Sequence, residues 1–229
     1  MSFRVKIIPP IQLTERDLQR RQRRYQARAA PDTQVDVCDL PGDPAMLYTP
    51  DDLAQSDTAV FREGRATTSE QADAILVDCI FDPSVEALQA ETGLPVFGPL
   101  RTTLPLVSLV ASRFAVIAAM DCHCVALVDL IRHYGYGEQL ASVRSLGETY
   151  PAALEAYVAA MQKQLAAARQ AGAEAVVMGS TTMAVRDEIR AAAGGMPVFT
   201  TGMVTLGVME SMWRDSLLSL MASASLKGR

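Results

Sequence analysis

No apolar run in this 229-residue sequence approaches the ~20 residues a helix needs to span a bilayer. The opening "MSFRVKIIPP" lacks the apolar segment and small-residue cleavage site of a secretory signal and reads directly as a strand. Only four cysteines occur, Cys38, Cys79, Cys122 and Cys124, without the dense spacing of a disulfide scaffold. Together these absences lead us to expect a cytoplasmic protein with reduced thiols and no membrane association. Positive charge is also short: the formal net charge is −5, which gives no reason to expect nucleic acid. Arginines do gather in "ERDLQRRQRRYQARAA" (15–30), but Glu15 and Asp17 interleave with them. A solvated helix face or a subunit contact is the expected reading. Dinucleotide, P-loop and α/β-hydrolase signatures (G-x-G-x-x-G, G-x-x-x-x-G-K-[ST], G-x-S-x-G) are all missing. So is any long linker or low-complexity tract.

What is present is an alternation of short apolar runs with amphipathic stretches. Strands are expected at 3–8, 34–38, 74–79, 95–98, 114–119, 141–146, 174–179 and 197–200. Helices are expected near 13–29, 52–71, 83–92, 122–134, 151–171, 183–193 and 203–222. Gly93, Gly172 and Gly194-Gly195 fall where helices should end, and Pro151 where one should begin. Such an order implies parallel sheets covered by helices on both faces.

The sequence also repeats itself. "FRVKIIPPI" (3–11) parallels "FAVIAAMDC" (114–122), "AILVDC" (74–79) parallels "AVVMGS" (175–180), and "PVFGPLRTTLP" (95–105) parallels "PVFTTGMVTLG" (197–207). The expected fold is therefore α/β with two pseudo-symmetric halves, each a mainly four-stranded parallel sheet flanked by helices, and a site in the cleft between them. The first half should comprise 1–105 with 207–229, and the second 106–206. The last helix should then return to the first half and lay Val204, Leu206, Val208, Met209, Met212, Leu217 and Leu220 over its strands.

Ligands of open parallel sheets bind beyond the carboxyl ends of the strands. Here those ends are Pro9-Pro10-Ile11, Cys79-Ile80, Met120-Asp121-Cys122-His123 and Gly179-Ser180-Thr181-Thr182. A cysteine at a helix N-terminus gains stabilised thiolate from nearby backbone N–H groups, which also bind carboxylate. On that ground Cys79 should react with iodoacetamide faster than Cys38. A strand-end cysteine standing alone is more often a small buried hydrophobe. "CHC" (122–124) holds metal-ligand types, but adjacent positions cannot all converge on one ion and there is no second cluster, so no metal is expected.

"VDCIFDPSVEALQAETGLPVFGP" (77–99) resembles the first cysteine motif of the aspartate/glutamate/hydantoin racemase superfamily, nearest its hydantoin racemase branch. In that motif a strand leads to the cysteine, Asp82-Pro83 opens a helix, and an apolar strand follows. "VVMGSTTMA" (176–184) resembles the second motif, with Ser180 where the second cysteine stands. The resemblance implies a cofactor-independent isomerase of two α/β halves in which one thiol removes a proton beside a carboxylate or carbonyl and another returns one to the opposite face. Carried over, Cys79 is an acid/base and Ser180 occupies the partner position. Pro10, Ile11, Ile80, Asp121, Cys122, Thr181 and Thr182 would hold a small carboxylate, amino acid or hydantoin, in a homo-oligomer. Two departures accompany it: the first loop reads Pro9-Pro10-Ile11 instead of presenting an asparagine, and a serine hydroxyl without a neighbouring base is a far weaker acid than a thiol. Ser180 thus leaves three readings open. It could be an introduced Cys→Ser change, the mark of a one-thiol decarboxylase or cis–trans isomerase, or a racemase that protonates one face slowly. A relative that binds ligand without turnover is a further alternative.

Overall fold

The computed structural model describes residues 2–40, 42 and 44–221. Among the described residues eight strands form where the apolar runs lie: β1 (Phe3–Ile8), β2 (Thr33–Val37), β3 (Ala74–Val77), β4 (Val96–Phe97), β5 (Phe114–Ala118), β6 (Leu140–Ser145), β7 (Ala175–Gly179) and β8 (Val198–Phe199). The α-helices between and after them are α1 (Glu15–Arg28), α2 (Pro50–Arg65), α3 (Val85–Thr92), α4 (Pro99–Ser108), α5 (Cys124–His133), α6 (Leu154–Gln170), α7 (Asp187–Ala193) and α8 (Thr201–Arg214). All pairings are parallel, in two four-stranded sheets ordered β2-β1-β3-β4 and β6-β5-β7-β8. The two sheets thus share one topology, as the internal repeat implies. None of the described helices is long and apolar enough to cross a membrane.

Helices cover both faces of the central strands β3, β5 and β7, every residue of which is buried, whereas the central strand β1 keeps Arg4 and Lys6 partly exposed. The edge strand β2 alternates buried and exposed positions instead. Glycines end the helices in the left-handed conformation where expected, with Gly93 at φ 68° after α3 and Gly194 at φ 54° after α7.

Three local expectations change. A helix, α4, occupies 99–108, where none was expected; Pro99 takes its first position and Pro105 lies inside it. Asp82-Pro83 does not open α3, which starts at Val85 after two non-glycine residues with positive φ, Asp82 (49°) and Ser84 (55°). Pro151 precedes α6, whose first residue is Leu154.

Chain contacts divide the protein into two units, one of residues up to Pro99 together with Met203 onward, the other Leu100–Gly202. In the first unit, one sheet face packs Phe3, Val5, Ile7 and Leu76 against Tyr25 of α1 and Leu206 and Met209 of α8. Phe3 stacks on Trp213 with ring centroids 5.3 Å apart. The last helix therefore covers first-half strands through Leu206 and Met209, with Met212 partly buried against them, but α8 ends at Arg214, and Leu217 and Leu220, expected on the covered face, are exposed. The other face packs Ile8, Ile75 and Val77 against Ala59, Val60 and Leu88 of α2 and α3. The second unit has its own core, in which Ile117 and Met178 meet Met161 and Leu165 of α6 and Ile189 of α7.

Candidate functional site

In each unit the chain leaves the first strand toward one side and returns to the other, so the topological switch lies between β1 and β3, and between β5 and β7. Crevices at the carboxyl ends of such strand pairs are where parallel sheets bind ligands. In the first unit these ends carry Pro9-Pro10-Ile11 and Asp78-Cys79-Ile80; in the second, Met120-Asp121-Cys122 and Ser180-Thr181-Thr182.

Cys79 sits in a tight turn directly beyond β3. Its N–H donates to Val77 O (2.8 Å) and its carbonyl accepts from Asp82 N (3.1 Å). The turn is pinned to α2 through Ser84, whose N–H donates to Asp57 Oδ1 (2.6 Å) and whose hydroxyl donates to Asp57 O (2.9 Å). Gly98, at the end of β4, makes room for this turn: a Cβ there would stand 2.6 Å from Asp82 Oδ1 and 2.8 Å from Oδ2. Two non-glycine residues held at positive φ beside a thiol fit the tendency of strained backbone to collect at functional sites.

The thiol's environment differs from the one expected. Five residues lie between Cys79 and Val85, the first residue of α3, so Cys79 is not in the first turn of that helix. Cys79 is 4% exposed, and burial pushes its thiol up, opposed mainly by a backbone N–H from Phe81, while Asp82 and Asp78 add to the rise and Arg21 reduces it. Cys38 is only partly buried; there, burial and then Glu63 push the thiol up to about 12. The structure therefore removes the basis for faster alkylation of Cys79 than of Cys38. Ile80 and Pro10 are buried beside Cys79 in sequence and at the end of β1, and Ile11 is half-buried.

In the second unit Ser180 follows β7 immediately. Its hydroxyl lies 2.9 Å from Thr182 Oγ1 and accepts from Thr182 N at 3.3 Å; neither partner is a base. Gly179 before it is required by close approach of β5, since a Cβ would lie 2.7 Å from Ile117 O. Thr181 is buried and Thr182 half-buried. The next helix, α7, begins only at Asp187, so Ser180 also lacks a helix N-terminus. Asp121 accepts a hydrogen bond from the Ser145 hydroxyl, and its N–H donates to Gly147 O (2.9 Å). Cys122 is exposed, His123 buried and Cys124 half-buried, and no group of three or more metal-ligating residues occurs among the described residues.

Sequence reasoning passed over Asp78, Arg21 and Tyr25. Asp78 is buried, paired with the buried guanidinium of Arg21 and accepting from the hydroxyl of Tyr25 at 2.5 Å. This corrects the expectation for 15–30: Arg16, Arg20, Arg23 and Arg28 do line a solvated face, with Arg20 paired to Asp17 at 2.9 Å, but Arg21 turns inward. The available signal was a carboxylate at the end of the apolar run "AILVD", which needs a counter-charge when buried.

The sequence model of the Asp/Glu/Hydantoin racemase family matches residues 14–208. A hydantoin racemase of Paenarthrobacter aurescens is 29% identical over 160 residues, covering 65% of this chain and 64% of that one. The alignment thus spans somewhat less than two thirds of that relative. Allantoin racemase from Pseudomonas fluorescens superimposes with a TM-score of 0.81 at 22% identity, over 93% of this chain and 92% of the other. Maleate isomerase Iso from Pseudomonas putida S16 gives 0.67 at 19% identity, over 93% and 94%. With a family match running through most of both units, the chain belongs to the Asp/Glu/Hydantoin racemase family.

Proposed function

We propose that this protein is a cofactor-independent racemase- or epimerase-type isomerase acting at a carbon next to a carboxylate or a hydantoin-type carbonyl. Cys79 is its acid/base and Ser180 occupies the partner position. The observation that carries the reading is a thiol held in a strained turn at the switch point of a family that includes hydantoin racemases. A thiolate at Cys79 takes the proton, the electron pair passes into the adjacent carbonyl as an enolate, and a proton returned to the opposite face inverts the centre. Pro10, Ile11 and Ile80 supply an apolar wall, and Asp121, Cys122, Thr181 and Thr182 supply polar contacts to a small carboxylate, amino acid or hydantoin. The working form is a cytoplasmic homo-oligomer.

One observation favours a second reading. Burial keeps Cys79 protonated at neutral pH, which is the donor form, and Ser180 has no base beside it. Loss of CO₂ from a substituted malonate leaves a carbanion that needs only one donor, and Cys79 would supply that proton. A cis–trans isomerase would instead use Cys79 as its nucleophile.

Incubating hydantoins, amino acids and substituted malonates in D₂O, followed by NMR, separates these readings. Deuterium entering the carbon without loss of CO₂ supports the isomerase; CO₂ release with one deuterium incorporated supports the decarboxylase. Neither signal above that of a Cys79→Ser variant overturns both.

A further inference from the structure

A carboxylate buried just beyond the end of a parallel strand is costly unless it is paired, and Asp78 meets Arg21 and Tyr25. Arg21 and Tyr25 stand four residues apart, on one face of α1, and both reach it. The Asp78 side chain has no solvent exposure and that of Arg21 is 8% exposed. Tyr25 is fully buried, and its hydroxyl is pushed up first by burial and then by Asp78, so it stays a donor. Asp78 N–H meanwhile donates to Ile8 O at 2.8 Å, which ties the end of β3 to the end of β1. Arg21 Nε finds no hydrogen-bond partner among the described residues, so Asp78 is what balances this guanidinium.

The fold does not require such a cluster. The repeat aligns Asp78 with Gly179, and the second sheet closes with the same topology around that glycine and no carboxylate. The charged group thus belongs to the half that carries the thiol. We propose that Arg21 is a positioning residue for Cys79: reaching from α1 onto Asp78, it fixes the turn that presents the thiol and offsets the carboxylate next to it. This rests on the reading of Cys79 as the acid/base. The charged groups acting on the thiol are Asp82, Asp78 and Arg21, while Asp78, Arg24 and Arg21 act on the Tyr25 hydroxyl that donates to Asp78. Arg21 is the cation among those on the thiol. Without it, two carboxylates oppose formation of the thiolate.

The test is iodoacetamide labelling of the full chain between about pH 6 and 11, with the Cys79 peptide read by mass spectrometry and exposed Cys122 as internal control. Arg21→Met should move the Cys79 profile upward by about one pH unit, or about tenfold slower labelling at fixed pH below the midpoint. Asp78→Asn should move it down, and the double variant should return it close to the parent. A purely structural role predicts the reverse for Arg21→Met, since loosened packing exposes the thiol and speeds labelling. Unchanged or faster labelling in Arg21→Met overturns the proposal. Should that variant fail to fold, the comparison of Asp78→Asn with the double variant decides, and identical profiles for the two overturn it. No substrate enters the measurement, so its outcome is independent of the exchange experiment above.

Discussion

At the scale of single residues, the two strand-end positions that the repeat pairs are chemically unlike. Cys79 is a buried thiol beside a paired carboxylate, whereas Ser180 is a half-buried hydroxyl bonded to Thr182. If Ser180 stands where a second acid/base acts, Ser180→Cys supplies a group that titrates near pH 8.5 and can both donate and accept. General acid–base catalysis contributes typically about 10²–10⁴ in rate, so racemisation measured by polarimetry should rise at least about tenfold. Unchanged racemisation with persistent deuterium exchange would place the one-thiol chemistry first. Cys79 and Ser180 were legible in the sequence because strand ends and the repeat mark them. The state of the thiol was not, because it depends on Arg21, on Phe81 N–H and on the depth of the turn, none of which sequence spacing reveals.

At the scale of elements, the eight strands could be read from short apolar runs punctuated by Gly and Pro, while α4 was hidden by Pro105 inside it. One contact between elements also escaped sequence reading. The edge strand β2 turns the backbone groups of Thr33, Val35 and Val37 outward, and α1 satisfies them with two glutamines. Gln22 Nε2 donates to Val35 O (2.7 Å) and its Oε1 accepts from Val37 N (2.9 Å). Gln26 Nε2 donates to Thr33 O (3.1 Å) and its Oε1 accepts from Val35 N (3.3 Å). The two side chains stand in for a neighbouring strand, and free strand edges invite pairing with other chains. We expect the double variant Gln22→Ala/Gln26→Ala to lose roughly 1–3 kcal/mol of stability, on the order of 0.5–1.5 kcal/mol for each typical hydrogen bond lost where water only partly replaces it. It should also self-associate on mild heating, by light scattering. A variant as stable and dispersed as the parent would mean that water serves this edge equally well.

At the scale of the whole molecule, the first unit is assembled from segments distant in the chain. Leu206, Met209 and Leu218 are each less than 5% exposed and pack in the cluster built around Phe3, Val5 and Ile7. Each such side chain contributes roughly 1.5–3 kcal/mol on burial, and a domain's net stability is about 5–15 kcal/mol. A chain ending at residue 202 should therefore lose cooperative melting of its first unit and bind a hydrophobic dye, as read by circular dichroism and fluorescence. Melting like that of the full chain would show that α8 is dispensable. This discontinuity also sets an order of events during synthesis. The second unit is one continuous segment and can close as soon as it emerges from the ribosome. The first must wait, its apolar sheet face uncovered, while residues 100–202 are added. At roughly 5–20 residues per second the delay is on the order of 5–20 s. Over that interval the nascent chain exposes apolar surface that invites aggregation, so we expect codon choice and growth temperature to affect its yield more than its final stability suggests.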